Sequence, residues 1–537
     1  MNRLRNLVRY ATLVVIVAVG VWLLVPPRVE EDSETEAAQA STTKINYTIK
    51  FAPGQSYMPD TIPYGIGQPL QGLKKVIREF EKRFPDTKVD VVVTPGRREY
   101  LVTQLSSGRA PDIVNWNVED VWVDIQKNWY VPLDPFLEAP NQFVREKGDP
   151  NAPGYEQWWD MLKYQAVSRG KAAPDNKNYC LTFDMVETGI FYNKTIFQKI
   201  GVEVPANWDE FLAVMAKIQE TDTIPLVMVI DWFNDWTTDL LFDQLYNGLL
   251  PGIDLVQDPV REQYLEGYLD WDELCFLYRK GFFTRKDPRY VEIWQHMKDM
   301  RQYCNKNLTG VDPTREFVTQ EAAMLWNASP MTYRLSADKE LEFEWGVFYL
   351  PPFTRQTSKY ASMVDMCVIG GSATQLEVTN SAYKDTGDPA TSVRLQRVIQ
   401  LLQFLTMPEH YETIVNEYAC FVPNVVGVPV LPSLRPFEEI LERRYTTTKW
   451  IFTFDLKFGE IQRRMLELYL NDGTDIDGFM DWQEDNLKNA TDNLLLRKDV
   501  DMDALERRWR ELAPVRATME GLPPAVVESD KEILSNG

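Results

Sequence analysis

Leu181–Ile218 reads LTFDMVETGIFYNKTIFQKIGVEVPANWDEFLAVMAKI, and the fold turns on it. Ile190-Phe191-Tyr192 is a compact apolar run that ends a strand, and Asn193 is a turn or cap residue. A short helix over Thr195–Ile200 stops at Gly201, where a left-handed residue is needed just past the last turn. Pro205 breaks the chain, and Asn207 caps a second helix with Glu210 reaching back from three residues on. Phe211, Leu212, Met215 and Ile218 recur at helical spacing, so that helix buries one face.

Outward from this stretch, strands and helices alternate. Ile45, Tyr47, Ile49 and Phe51 alternate as a half-buried strand ended by Pro53-Gly54-Gln55-Ser56. A helix follows on Leu73, Val76, Ile77, Phe80 and Phe84, then a strand over Val89–Val93. The segment Tyr100–Ser107 is helical, and Pro111–Val114 is a third strand that runs into Asn115-Trp116-Asn117. This alternation predicts a mainly parallel sheet with helices on both faces. Ligands on such sheets bind beyond the carboxyl ends of the strands, here Gly54–Tyr57 and Asn115–Asp120. Ile224–Ile230 reads as a later strand, ending in Asp231-Trp232-Phe233-Asn234-Asp235-Trp236. Aromatics interleaved with acids and an amide suit a sugar, whose C–H faces lie on rings while its hydroxyls meet carboxylates.

The particular residues carry a resemblance. Tyr192-Asn193-Lys194, Phe197, Gly201, Pro205 and Trp208-Asp209-Glu210-Phe211-Leu212 resemble the central signature of the extracellular solute-binding proteins of family 1. These are the maltose-binding-protein-like sugar receptors of ATP-driven importers. The likeness continues through Phe80–Pro85, Leu105, Gly108 and Pro111-Asp112-Ile113. It resumes at Glu321–Met324, Trp345-Gly346-Val347, Leu405–Glu409 and Phe421-Val422-Pro423. The resemblance implies two α/β lobes of the type II periplasmic-binding-protein kind, joined by strands that cross more than once, with the ligand cleft between them. Lobe 1 takes residues 44–185 and 358–428, and lobe 2 takes 186–357 and 429–512, with an insertion at about 250–315 and a poorly ordered tail at 513–537.

The same resemblance places sugar contacts at Trp116, Asn117, Glu119 and Asp120, beside Gln55 and Ser56 at the first strand's end. In the second lobe the candidates are Asp231, Trp232 and Trp236. The family continues its Ala-Ala-Met strand into a turn whose tryptophan stacks on sugar. Here Pro330 occupies that position, so Trp326 or Tyr333 is expected to replace it, and Trp450 is a further stacking candidate. The implied solute is a sugar or oligosaccharide and the implied partners are the importer's permease subunits. A solute-sensing module for a membrane sensor is the alternative, and an extracellular glycan hydrolase is the third reading.

Composition limits the rest. A formal charge of −22 argues against nucleic acid as a partner. Two histidines, His296 and His410, leave little for a histidine metal site or a serine triad, and both are expected at the surface. Cys180, Cys275, Cys304, Cys367 and Cys420 are widely spaced and read chiefly as small apolar core residues. Gly473–Gly478 has the look of a calcium loop but begins on glycine, so a turn and helix cap is the better reading. Asp120 and Asp231 can be proposed as the carboxylate pair of a hydrolase, but acids abound everywhere in this chain and the signal is weak. The reading therefore assigns no catalytic residue, metal or cofactor. Arg3, Arg5 and Arg9 before the uncharged Ala11–Val25 predict a signal anchor over residues 1–27, an extracytoplasmic body tied to the membrane, and a flexible tether over 28–43.

Overall fold

The computed structural model describes residues 44–536 except 97, 171, 174, 257–262, 264, 266, 369, 370, 372 and 447–454. The expected anchor at 1–27 and tether at 28–43 lie outside the described residues, among which no helix is long and apolar enough to cross a membrane.

The chain lays down β1 (Tyr47–Ala52), β2 (Thr87–Val91), β3 (Ile113–Asn115) and β4 (Cys180–Thr182), then passes through the short β5 (Asp184–Met185). It continues as β6 (Thr188–Asn193), β7 (Ile224–Val227), β8 (Ala322–Ala328) and β9 (Trp345–Phe348). After β10 (Met366–Cys367) come β11 (Gln375–Val378), β12 (Val422–Pro423) and β13 (Arg444–Tyr445). Two main sheets result, one ordered β2-β1-β3-β11-β4 and the other β7-β8-β6-β9. In the first, β1 pairs in parallel with β2 and β3, and β11 enters antiparallel between β3 and β4. In the second, β7 and β8 are parallel and β6 runs against β8 and β9.

Direction and connectivity fix which edges meet. The carboxyl ends of β1, β3 and β4 share one edge of the first sheet, from which the chain leaves at Thr182 and starts β6 at Thr188. Those six steps span at most about 20 Å. Because β6 opposes β8, its first residue lies at the carboxyl edge of β7 and β8. Carboxyl edge is thus tied to carboxyl edge, and β12 pairs with β5 on the same crossing.

Each sheet has its own interior. Ile49, Phe51, Ile77, Phe80, Ile113, Leu376, Val398 and Leu402 belong to the first, and the opposite face of that sheet holds a smaller cluster with Leu105, Val114, Val121 and Tyr130. Ile190, Phe191, Trp208, Phe211, Leu226 and Met324 belong to the second. The helices Gly72–Arg83, Lys194–Ile200 and Trp208–Gln219 match their expected spans, with Gly201 left-handed at φ 71° and the Asn207 side chain accepting from the Glu210 amide.

Three expectations change. Residues 513–536 are not a loose tail: helices Ala513–Arg516 and Pro524–Asn536 are tied by a buried Arg516–Asp530 ion pair at 2.7 Å, with Arg516 also donating to the Gly252 carbonyl. The segment 250–315, expected as a second-lobe insertion, packs into the second interior, where Ile253, Phe276, Tyr290 and Trp294 lie with Phe479 and Trp509. The return to the first sheet comes later than residue 358, because Tyr360, Ala361, Met366 and Cys367 also pack in the second interior and only β11 rejoins the first sheet. Both histidines are half-buried against rings, His296 on Phe353 and His410 on Phe404, rather than free at the surface. None of the five cysteines forms a disulfide among the described residues, and four are buried.

Candidate functional site

On the first sheet, the turn after β3 is held from beneath by β11. The Trp116 amide donates to Glu377 Oε2 at 3.0 Å and to the Gln375 carbonyl at 3.2 Å, and the Val118 amide donates to Gln375 Oε1 at 2.9 Å. Burial pushes the Glu377 carboxyl well above the usual carboxylate range. Trp116 is left half-buried and Asn117 exposed at the start of helix Val118–Asp124. The turn after β1 lies alongside: Gly54 has φ 78°, and a Cβ there would stand 2.1 Å from Asn115 Nδ2, so glycine is required. Gln55 is exposed and Ser56 half-buried on this turn. Four of the expected contacts, Gln55, Ser56, Trp116 and Asn117, therefore come together on one edge. The side chains of Glu119 and Asp120, and the whole of Trp450, lie outside the described residues.

On the second sheet, β7 stops at Val227, earlier than the expected Ile230. Ile230–Trp232 already turns as α-helix and Phe233–Thr237 as one π-type turn, an irregularity often found at functional sites. Trp232 and Trp236 are four residues apart and stack with centroids at 5.4 Å and an interplanar angle of 8°. Both are half-buried, so the pair keeps accessible aromatic surface. Asp231 is exposed and pairs with Arg463 at 3.0 Å, from the helix Leu456–Leu470. Trp236 rests 6.1 Å from Trp326, and Trp326 is fully buried, 6.4 Å from Tyr349. Trp326 therefore presents no surface to a ligand in this structure and backs Trp236 instead.

Residues 65–274 match the sequence family described as bacterial extracellular solute-binding protein. Over these residues the chain resembles that family. The chain is 27% identical over 196 residues to the multiple sugar-binding protein of Streptococcus mutans, a match spanning 36% of this chain and 39% of that relative. It thus matches about two fifths of the relative's length. Its fold is similar to that of RafE from Streptococcus pneumoniae in its apo form, with a TM-score of 0.55 and 17% identity over 84% of this chain and 99% of that one. It is also similar to the sugar-binding protein MalE from Xanthomonas citri, with a TM-score of 0.56 and 18% identity over 83% and 98% of the two chains. A cyclic α-maltosyl-1,6-maltose binding protein from Arthrobacter globiformis gives a TM-score of 0.56 at 15% identity over 83% and 98%.

Between the two edges lies the crossing itself. Tyr57 donates to Asp184 at 2.8 Å, and the Ser329 amide and hydroxyl donate to the carbonyls of Glu187 and Cys420. The Glu187 carboxyl is fully buried and pushed up to about 8 by desolvation; one oxygen accepts from the Thr188 amide at 2.6 Å, and the other has no hydrogen-bond partner among the described residues. Tyr333, on the helix Met331–Ala337, donates to the Ile66 carbonyl at 2.9 Å, so it reaches from the second sheet's connection to the loop after β1. Nothing in the sequence marked Tyr64, which stacks on Tyr333 at 6.4 Å. The glycine-led turn behaves as expected: Asp475 caps helix Ile476–Arg497 by accepting from the Gly478 amide at 2.9 Å.

Proposed function

We propose that this chain is an extracytoplasmic receptor that closes its two sheet-centred lobes around a saccharide. The observation that carries the reading is the half-exposed Trp232–Trp236 stack beside Asp231 and Arg463, at the edge tied by the crossing strands to the edge bearing Trp116. Flat aromatic faces cover the C–H faces of a pyranose, while carboxylate, guanidinium and amide groups exchange hydrogen bonds with its hydroxyls. The first-lobe contacts in this reading are Gln55, Ser56, Trp116, Asn117, Glu119 and Asp120, and the second-lobe contacts are Asp231, Trp232, Trp236, Tyr333 and Trp450. Trp326 supports Trp236.

Mechanism follows from two contact sets on opposite edges. A ligand touching both gains its full interaction only when the lobes approach, so binding shifts a hinge equilibrium toward the closed form. The crossing near Asp184–Thr188 is where that hinge bends. Permease subunits of an ATP-driven importer read the closed surface, and residues 1–27 hold the receptor at the outer face of the membrane. No bond is broken in this scheme, and Asp231 serves as a polar contact already paired with Arg463 rather than as a hydrolytic acid.

Thermal shift of the purified full chain against mono- and oligosaccharides tests the reading. A ligand that binds only the native state stabilises it by about 2.7 kcal/mol at a hundredfold excess over Kd. The expected result is a rise in Tm that Trp116→Ala and Trp236→Ala each abolish in a folded protein. No shift across the whole panel overturns carbohydrate as the solute.

A further inference from the structure

The connection between β1 and helix Gly72–Arg83 is longer than a parallel-sheet crossover requires, and residues 60–70 within it close on themselves. The Asp60 amide donates to the Leu70 carbonyl at 2.9 Å and the Leu70 amide donates to the Thr61 carbonyl at 3.0 Å, so the segment leaves the sheet and returns at one point. Compact loops with joined ends are frequently functional. This one is built against local preference: Tyr64 has φ 52° and Asp60 φ 64°, with Gly65 and Gly67 also left-handed. A bulky residue with positive φ is held there only by its surroundings.

Those surroundings come from both sides of the crossing, Tyr333 from the helix after β8 and Tyr418 from the helix Pro408–Tyr418 packed on the first interior. The Tyr333 hydroxyl donates to the Ile66 carbonyl at 2.9 Å, and its ring lies 6.4 Å from Tyr64 and 5.7 Å from Tyr418. A Cβ on Gly67 would come within 2.5 Å of the Tyr333 oxygen. Tyr64 nevertheless stays 50% exposed, whereas Tyr57 in the same aromatic group is 3% exposed. The loop thus spends backbone strain to hold one tyrosine ring open at the junction of the two lobes.

We infer that residues 60–70 form a flap that Tyr333 pins across the junction, giving Tyr64 the role of an additional aromatic platform for a pyranose ring. This rests on the saccharide-receptor reading above and deepens it. A platform at the junction, separate from the Trp232–Trp236 stack, makes the site one for a saccharide of two or more rings. Closure and ligand contact are coupled through the flap, because Tyr64 holds its strained conformation only while Tyr333 is docked.

Two measurements decide it. Hydrogen–deuterium exchange on the full chain without ligand is expected to show the 60–70 amides exchanging at least about tenfold faster in Tyr333→Phe, with the β1 and β6 amides unchanged. Equal exchange overturns the pin. Calorimetric titration with raffinose, maltotriose and chitotriose is expected to show Tyr64→Ala binding at least about tenfold more weakly than wild type, at unchanged Tm, while Tyr64→Phe binds as wild type. Wild-type binding that Tyr64→Ala leaves intact overturns the platform alone. A wild-type chain that binds none of the three saccharides overturns the platform together with the reading it rests on.

Discussion

Tyr57 donates its hydroxyl hydrogen bond to Asp184 across 2.8 Å, linking the turn after β1 to the first residue of the chain's crossing between sheets. Both groups are buried, and burial together with the nearby Asp184 charge holds the Tyr57 phenol well above its ordinary range, so it stays a neutral donor. Asp184 also accepts from the Thr374 amide at 3.0 Å, on the returning chain just before β11. One carboxylate therefore ties together two passes of the chain and the turn after β1.

Tyr57→Phe removes one donor from a buried carboxylate while leaving the ring packing in place. The expected loss is about 1–3 kcal/mol of stability, the cost of leaving a buried polar group without its partner. Urea unfolding of the two proteins measures it, and an unchanged midpoint would show that the contact contributes nothing.

Trp326 and Trp232 should separate cleanly. Trp326 is fully buried behind Trp236, so Trp326→Ala is expected to cost about 3–5 kcal/mol through the cavity it leaves. Trp232 is half-exposed, so Trp232→Ala is expected to reduce saccharide affinity at least about tenfold with a much smaller fall in Tm. The reverse pattern would move the ligand contact from the outer ring of the stack to the inner one.

The contrast between these rings also marks what the sequence could and could not convey. Local signals were sufficient where a few neighbouring residues decide the outcome, as at Gly201 and the Asn207 cap, or where alternation buries one face, as at Ile49 and Phe51. The strand end bearing Trp116 was legible for the same reason, whereas Asp231 lies in a helical turn beyond the end of β7 at Val227. Which tryptophan faces solvent was not, since Trp326 is hidden by Trp236 and Tyr349, from separate segments. Tyr64 was illegible because the ring it stacks on, Tyr333, comes from a helix far along the chain. The C-terminal residues after Pro514 read as loose because their partners, Gly252 and Trp509, lie upstream of them.

Those C-terminal helices should be essential to the second lobe. Asp530→Ala leaves the Arg516 guanidinium buried without its carboxylate, although it still donates to the Gly252 and Trp509 carbonyls. Breaking a buried pair from one side costs about 3–5 kcal/mol, so a fall in Tm of several degrees is expected. Replacing both partners with apolar residues of similar size should recover most of it. A single-site variant with wild-type Tm would show the helices to be dispensable.

Glu187 gives the crossing a pH dependence whose sign can be worked out. Its carboxyl titrates near 8 when folded, against an ordinary value of 4.5, because burial disfavours the charged form. Below 4.5 both states are protonated and folding carries no penalty from this group. Between 4.5 and 8 the unfolded chain has released a proton that the folded chain keeps, so stability falls as pH rises, by up to about 1.4 kcal/mol per pH unit. His296, held down to about 4 by burial, works the other way, but only below its ordinary 6.5. The interval from 6.5 to 8 therefore isolates Glu187 from His296. Unfolding free energies measured across that interval should decline more steeply in wild type than in Glu187→Gln, whose amide cannot ionise. Parallel profiles would mean that Glu187 is charged in the folded protein, and that Arg443, the cation acting on it, compensates its burial.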